Sequence, residues 1–217
     1  AAHQGHAAVV ARLLRTDGVD VNERLPSRQN TPLMSVCEGG HGSSGVPHLL
    51  LGAPNIDVNA KDVHGRTALM YTTKDEVGWQ AALALLGDGR VDVNATDHSG
   101  CTALMMALRY QRKEIVAALC RAPAIDIEQP DHLGRQPLAI ALDHDDPWFL
   151  DALLQTRGVH SNLRAPAREM LSRRSAMILS DVMVSKVLKA SDVDMQTEFP
   201  SFFIMATAAG HWPLVRL

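Results

Sequence analysis

The 217 residues include 21 Lys and Arg against 24 Asp and Glu, a formal net charge of −3, with 46% hydrophobic, 21% charged and only 4% aromatic residues. This composition is too apolar for a disordered chain and too nearly neutral for the whole chain to be drawn to nucleic acid or an anionic membrane. The longest apolar stretch, 202–209, is far short of the ~20 residues that a membrane-spanning helix needs. Three cysteines, at 37, 101 and 120, argue against a disulfide framework and for an intracellular, reducing compartment such as the cytoplasm. No secretory signal pattern opens the chain, which reads as a segment of something longer.

In chain order, a helix-like start with Gly5-His6 leads to Val19-Asp20-Val21-Asn22. Next comes Pro26-Ser27-Arg28-Gln29-Asn30, a turn that lacks the Asp and Gly of later turns, so its tip is left undefined. Thr31-Pro32-Leu33-Met34 reads as a helix start, with Pro where the missing N–H costs nothing. Gly40-His41 repeats the Gly-His pair, about two extra residues sit around Gly42-Ser43-Ser44-Gly45, and Ile56-Asp57-Val58-Asn59 restates the first motif. In Asp62-Val63-His64-Gly65 the Asp bonds forward to backbone amides and the Gly supplies positive φ. Thr67-Ala68-Leu69-Met70 follows with Thr67 at the N-cap, the place Thr102 takes in the next unit. Gly87-Asp88-Gly89-Arg90 reads as a helix-ending turn rather than a phosphate loop.

The pattern then repeats as Val91-Asp92-Val93-Asn94, Asp97-His98-Ser99-Gly100 and Thr102-Ala103-Leu104-Met105. An outer helix through Lys113 to Leu119 carries apolar residues at helical spacing. Ile125-Asp126-Ile127-Glu128, Asp131-His132-Leu133-Gly134 and Gln136-Pro137-Leu138-Ala139 make a further round, and Asp146-Pro147 reads as a cap and first helical residue. Weaker copies stand at 159–162 and at Val193-Asp194-Met195-Gln196, and Gly210-His211 closes the series. The first motif starts at 19, 56, 91, 125, 159 and 193, spacings of 37, 35, 34, 34 and 34 residues, with the other signatures in phase. One helix pair cannot bury its own apolar face, so units of this length must stack.

These residues resemble the ankyrin repeat, whose period is about 33 and whose signature is Thr-Pro-Leu-His-x-Ala. The resemblance spans the chain and implies an all-α solenoid with short β-hairpin turns. Its units are a partial repeat 1–22, repeats 23–59, 60–94, 95–128 and 129–162, a degenerate repeat 163–195 and a partial repeat 196–217. Met34, Met70, Met105 and Ala139 replace the signature His, so the hydrogen bond that this His makes in the family is expected to be absent.

The resemblance also implies a concave surface of hairpin tips and exposed inner-helix positions that binds another protein. Carried over, the tips are Val63, His64 and Arg66, then His98, Ser99 and Cys101, then His132, Leu133 and Arg135. The inner-helix positions are Lys74 and Asp75, Arg109 and Tyr110, and Asp143 and His144. Arg and Tyr combine large area with directional hydrogen bonds, so Lys74, Arg109 and Tyr110 are expected at the centre of the site, against the plainer reading that they only solubilise the surface.

Other clusters have structural readings. Asp143-His144-Asp145-Asp146 is better explained as an inter-helix turn than as a metal site. His6, His41 and His211 are turn partners. Met34, Met70 and Met105 are packing residues rather than soft-metal ligands. Trp79, Trp148 and Trp212 are expected along the outer edge, with Trp148 a possible contact. Cys37 and Cys120 fall at core positions, and Cys101, in a turn, is expected to be the accessible thiol. Ala7, Val9, Val10 and Leu13 at one end, and Leu214, Val215 and Leu217 at the other, are expected to lack neighbours. No cofactor, small-molecule substrate or catalytic group is expected. From Arg157 to Lys189 seven basic residues face two acidic ones, a window of +5 that includes Arg164, Arg168, Arg173 and Arg174 and offers a secondary, electrostatic docking patch. Without interleaved aromatics, nucleic acid is disfavoured there. The expected role is a protein-interaction scaffold. The alternatives are a structural spacer docking through 157–189 and a regulatory array attached to an enzyme domain elsewhere.

Overall fold

The computed structural model describes residues 1–40, 44–144 and 146–156, with Pro147 described for its backbone alone. The chain divides into two compact units, Ala1–Asp126 with Pro130–Gly134, and Ile127–Gln129 with Arg135–Leu217. The degenerate and final partial repeats, Trp212 and the basic residues Arg164, Arg168, Arg173 and Arg174 lie outside the described residues.

The first unit is two layers of short helices. One layer comprises a 3₁₀ turn at Ala2–Gln4, α2 (Pro32–Glu38), α4 (Ala68–Tyr71) and α6 (Ala103–Arg109), each packed on the next. The other comprises α1 (Ala7–Leu13), α3 (Val46–Leu51), α5 (Trp79–Leu86) and α7 (Lys113–Cys120), again in sequence. Cross-layer packing pairs α2 with α3, α4 with α5 and α6 with α7. The inner helices are buried almost all round, through Leu33, Met34, Val36, Leu69, Met70, Leu104, Met105 and Leu108. The outer ones bury one stripe each, Ala81, Ala82 and Leu85 in α5 and Ile115, Val116 and Leu119 in α7, as an amphipathic period requires. In the second unit α8 (Pro137–Leu142) packs on α9 (Pro147–Leu154).

Local chemistry sets the helix starts. The Thr31 and Thr102 hydroxyls accept from the Met34 and Met105 amides, both at 3.3 Å. Thr67 takes the same extended backbone at the N-cap without that side-chain bond. At α2 the thioether of Met34 lies 3.5 Å from the Thr31 amide and accepts from it. No signature His is present to make its bond, and at α2 this sulfur contact stands between N-cap and N3 in its place. Asp146 caps α9, its carboxylate accepting from the Trp148 amide at 3.0 Å. Gly87 ends α5, and Arg90 in the following turn pairs with Asp88 and donates to the Leu51 carbonyl at 2.8 Å. The Arg90 hydrogen bonds hold the Asp88 carboxyl down at about 2.

Two sets of bonds cross between repeats. In the first, Asn22 donates to the Asn55 carbonyl and accepts from the Asp57 amide, both at 2.8 Å. Asn59 does the same to Arg90 and Asp92, both at 2.8 Å, and Asn94 to Ala124 and Asp126 at 2.6 and 2.8 Å. Asp20, Asp57 and Asp92 hold each loop in shape by accepting the amide two residues on. The Val-Asp-Val-Asn motif is thus a two-part device, with Asp shaping its own loop and Asn gripping the next.

Candidate functional site

The second set of bonds joins the hairpin tips. In each, the carboxylate oxygen of Asp62, Asp97 or Asp131 accepts the amide two residues later, at 2.8 to 3.0 Å. Gly65, Gly100 and Gly134 take the left-handed conformation at φ 77°, 77° and 76°. The amides of Val63, His98 and His132 donate to the carbonyls of Arg28, His64 and Ser99 in the preceding tip, at 3.2, 2.9 and 3.0 Å. The imidazole of His98 lies over Gly65 and that of His132 over Gly100, so close that a Cβ on either glycine would meet ring carbon Cδ2 at 2.6 or 2.7 Å. The tip between 25 and 30, undefined by its sequence, closes as a similar loop one residue longer, with no Asp to shape it. Gln29 occupies the glycine place at φ 58°, and the turn is closed from the Leu25 amide to the Asn30 carbonyl at 3.0 Å.

Behind the tips lies a buried polar cluster that the sequence motifs did not indicate, centred on Tyr71. Its hydroxyl is 2.8 Å from Asp62 Oδ2 and 3.1 Å from Asn30 Oδ1. Arg66 pairs with Asp62 at 3.0 Å and reaches the same hydroxyl at 3.3 Å. The Arg66 guanidinium and the Lys74 ammonium lie 5.0 and 4.4 Å from the Tyr71 ring centre, within cation–π range. Glu38 Oε1 accepts from both Arg28 and Lys74, at 3.1 and 2.9 Å, while its other oxygen accepts from Asn30 at 3.3 Å. Burial, with the bond to the Asp62 carboxylate, pushes the Tyr71 phenol up to about 12. Burial alone would also raise Asp62, but the amides of Arg66 and His64, the Tyr71 hydroxyl and the Arg66 charge together hold it below the usual carboxylate range.

The carried-over inner-helix positions fall at helix ends. Lys74 follows α4, Arg109 is the last residue of α6 and Tyr110 its C-cap, and Asp143 is the C-cap of α8. Lys74 and Arg66 belong to the Tyr71 cluster, and Arg109 pairs with the buried Asp131 at 3.2 Å. They are tied into the fold rather than free solubilising groups. Arg112 closes the end of α4, donating to the Thr73 and Lys74 carbonyls at 3.3 and 2.9 Å. Val63, His64, Asp75, His98, Ser99, Tyr110, His132 and Leu133 are exposed. In the second unit Arg135 is half-buried, Asp143 exposed, and His144 half-buried with its ring 5.8 Å from that of Phe149.

Three expectations need correction. Cys101 is buried, not accessible, because the turn that bonds its amide to Asp97 at 2.9 Å directs its side chain inward. Cys120 is only half-buried, lying at the end of α7 beyond its buried stripe, whereas Cys37 is fully buried and its thiol is pushed up to about 12. At the first end, Val9 and Leu13 are exposed as expected, but Val10 is buried and Ala7 half-buried. Trp148 is half-buried, edge-on to Phe149 at 5.3 Å between centroids. Met34, Met70 and Met105 are buried packing residues. Among the described residues, no three His, Cys, Asp or Glu side chains are grouped to hold a metal ion, and no helix is long and apolar enough to cross a membrane.

Comparison with known proteins fits this geometry. Compared with curated proteins, the chain has no match. The family model described as ankyrin repeats (3 copies) matches residues 1–97 and 79–165. Proteins with these repeats generally serve as protein-interaction modules. Repeating tips, paired helices and a match over most of its length lead to one conclusion: the chain belongs to the ankyrin repeat family.

Proposed function

We propose that this chain is a non-catalytic scaffold that binds another protein across its hairpin tips and inner-helix ends, centred on Val63, His64, Arg66, Lys74, His98, Ser99, Arg109 and Tyr110. The observation that carries the reading is a rigid backbone bearing exposed contact residues. Tip-to-tip hydrogen bonds from Val63, His98 and His132 fix the loops, while the side chains of Val63, His64, His98, Tyr110 and Leu133 stay exposed. A surface ordered before binding loses little conformational entropy when a partner docks. Tyr110 and the arginines belong to the residue types that dominate interface energies.

The test is site-specific photocrosslinking. A photoreactive residue at Val63 or Tyr110 is compared with one at Val77 or Leu83 near the outer helix. The same partner captured from both tip positions, and its purified form losing affinity for Tyr110→Ala, is the expected result. Capture from the outer positions alone, or binding abolished only by changing Arg164, Arg168, Arg173 and Arg174, would refute it and favour docking through the basic segment.

A further inference from the structure

We infer that the partner presents to this surface an extended, acidic segment with carboxylates about three residues apart. The inference rests on the protein-binding reading above and specifies its ligand. It comes from the way the ion pairs of the first unit are layered. Arg66 is 22% exposed and its partner Asp62 not at all, while Arg109 is 36% exposed and Asp131 1%. Lys74 and Arg28, at 31% and 59%, share Glu38 at 23%. In these pairs the carboxylate lies inside and the cation outside, whereas in Arg112–Glu76 the order is reversed, at 23% and 90%. Four cations lying outside three carboxylates therefore leave a locally positive outer surface, because a partner meets the nearer charge of each pair first.

The fixed partners also hold the cations in place. Tyr71 lies beneath Lys74 and Arg66, and the paired carboxylates orient the side chains, so little rotamer entropy remains for an incoming carboxylate to remove. Oriented guanidinium groups match carboxylates bidentately.

Spacing selects the shape of the ligand. Lys74 and Arg109 occupy one place in successive repeats, seven residues after Thr67 and Thr102. Packed helices stand about 8–10 Å apart. A polyproline II segment rises about 3.1 Å per residue with three residues per turn, so side chains at i and i+3 share one side roughly 9 Å apart. Acidic residues at that interval meet Lys74, with Arg28 beside it, and Arg109 in turn, while Tyr110, 51% exposed, offers an aromatic face to the residues between. The margins carry the opposite sign. Asp75 and Glu76 are exposed beyond Lys74, and Glu76 takes the side chain of Arg112. Asp97 stands half-exposed in the middle tip. These acids confine the segment to the cationic strip.

The probe is fluorescein-labelled (Glu-Pro-Ser)4, titrated by fluorescence anisotropy into the whole 217-residue chain at 50 and 300 mM NaCl. The comparison peptides are (Gln-Pro-Ser)4, (Lys-Pro-Ser)4 and one that collects the same four Glu at one end. The Glu repeat should bind at least tenfold more tightly than the Gln repeat and several-fold more tightly than the clustered peptide. Salt should weaken it. Lys74→Gln and Arg28→Gln, which leave no deeply buried carboxylate unpaired, should each reduce affinity about threefold. Arg109→Gln should do the same and Arg109→Lys restore most of it, with thermal melts confirming folding.

Equal binding of the Glu and Gln repeats, tighter binding of the Lys repeat, or indifference to Arg28→Gln/Lys74→Gln overturns the inference. So does loss of binding only when Arg164, Arg168, Arg173 and Arg174 become Gln, which would assign the acidic ligand to that segment. If no acidic peptide binds yet Tyr110 still crosslinks a partner that Tyr110→Ala weakens, the ligand chemistry is wrong and the protein-binding reading stands. If both fail, both fall.

Discussion

Replacing one tip glycine by alanine separates two costs that usually arrive together. Gly100 and Gly134 have nearly the same φ, 77° and 76°, but of the two only Gly100 is overlain by another tip among the described residues. A Cβ at Gly100 would stand 2.7 Å from both the amide nitrogen and ring carbon Cδ2 of His132, whereas at Gly134 no described residue comes within 4 Å. Left-handed backbone costs a side-chain-bearing residue about 1–2 kcal/mol, partly offset by about 0.4–1 kcal/mol from the stiffer unfolded chain. Gly134→Ala should therefore destabilise by about 1 kcal/mol. Gly100→Ala adds overpacking, typically about 1–3 kcal/mol, and should reach about 2–4 kcal/mol. The His132 amide cannot retreat without lengthening its 3.0 Å bond to the Ser99 carbonyl. Adding His132→Ala removes the ring but not that amide, so the double variant should recover less than half of the excess. Urea unfolding followed by circular dichroism, at unchanged m-value, measures all three. Gly100→Ala no more harmful than Gly134→Ala, or full rescue by His132→Ala, would refute the view that the tips are locked through the backbone.

Three further outcomes are expected. Tyr71→Phe should cost about 1–2 kcal/mol near neutral pH by leaving the Asp62 carboxylate short of a donor. Because burial and Asp62 raise the Tyr71 phenol to about 12, from a usual value of about 10, its contribution is complete below the unfolded value and lost as pH rises through 12. Wild-type denaturation midpoints should fall across that window and those of the Phe variant should fall less. Asp62, held low in the fold, contributes in the opposite sense, with stability present above its unfolded value of about 4 and lost as pH falls through its lower folded one. Asn59→Ala removes two inter-repeat hydrogen bonds and should cost about 1–2 kcal/mol, read by the same urea titration, while Asn59→Asp, which keeps the acceptor and loses the donor, should fall between. Thiol labelling of the native chain at pH 8 should modify half-buried Cys120 first, with buried Cys37 and Cys101 reacting only as the chain unfolds; early labelling of Cys101 would contradict its inward orientation.

The period, the Asp-x-x-Gly tips, the Thr67 and Thr102 N-cap positions and the Asp146 cap were legible because each depends on residues a few positions apart, although Thr67 makes no side-chain cap bond. Much of what escaped depends on partners from other repeats. Lys74 and Arg109 look like free surface charges until Glu38 and Asp131, 36 and 22 residues away, are placed beside them. Tyr71 carries no motif, and only the fold brings Asn30, Asp62 and Arg66 to its hydroxyl. The tip at 25–30 hid because Gln29 takes a conformation that residue type seldom signals. Cys101 was misread because a turn residue can still point inward when its backbone closes a hairpin.

The asparagine grip has a consequence for how the array changes length. Asn22, Asn59 and Asn94 each reach forward to the loop that precedes the next motif, over 33, 31 and 30 residues to the carbonyl they hold. The clasp measures where loops end in space and is indifferent to the number of residues between them. Extra residues can therefore be spliced between the two helices of a repeat, as around Gly42-Ser43-Ser44-Gly45, without disengaging the fastening on either side. Insertions within the Asp-x-Asn loop itself would break it. Such an array can diversify by indels at one edge while its joinery stays constant.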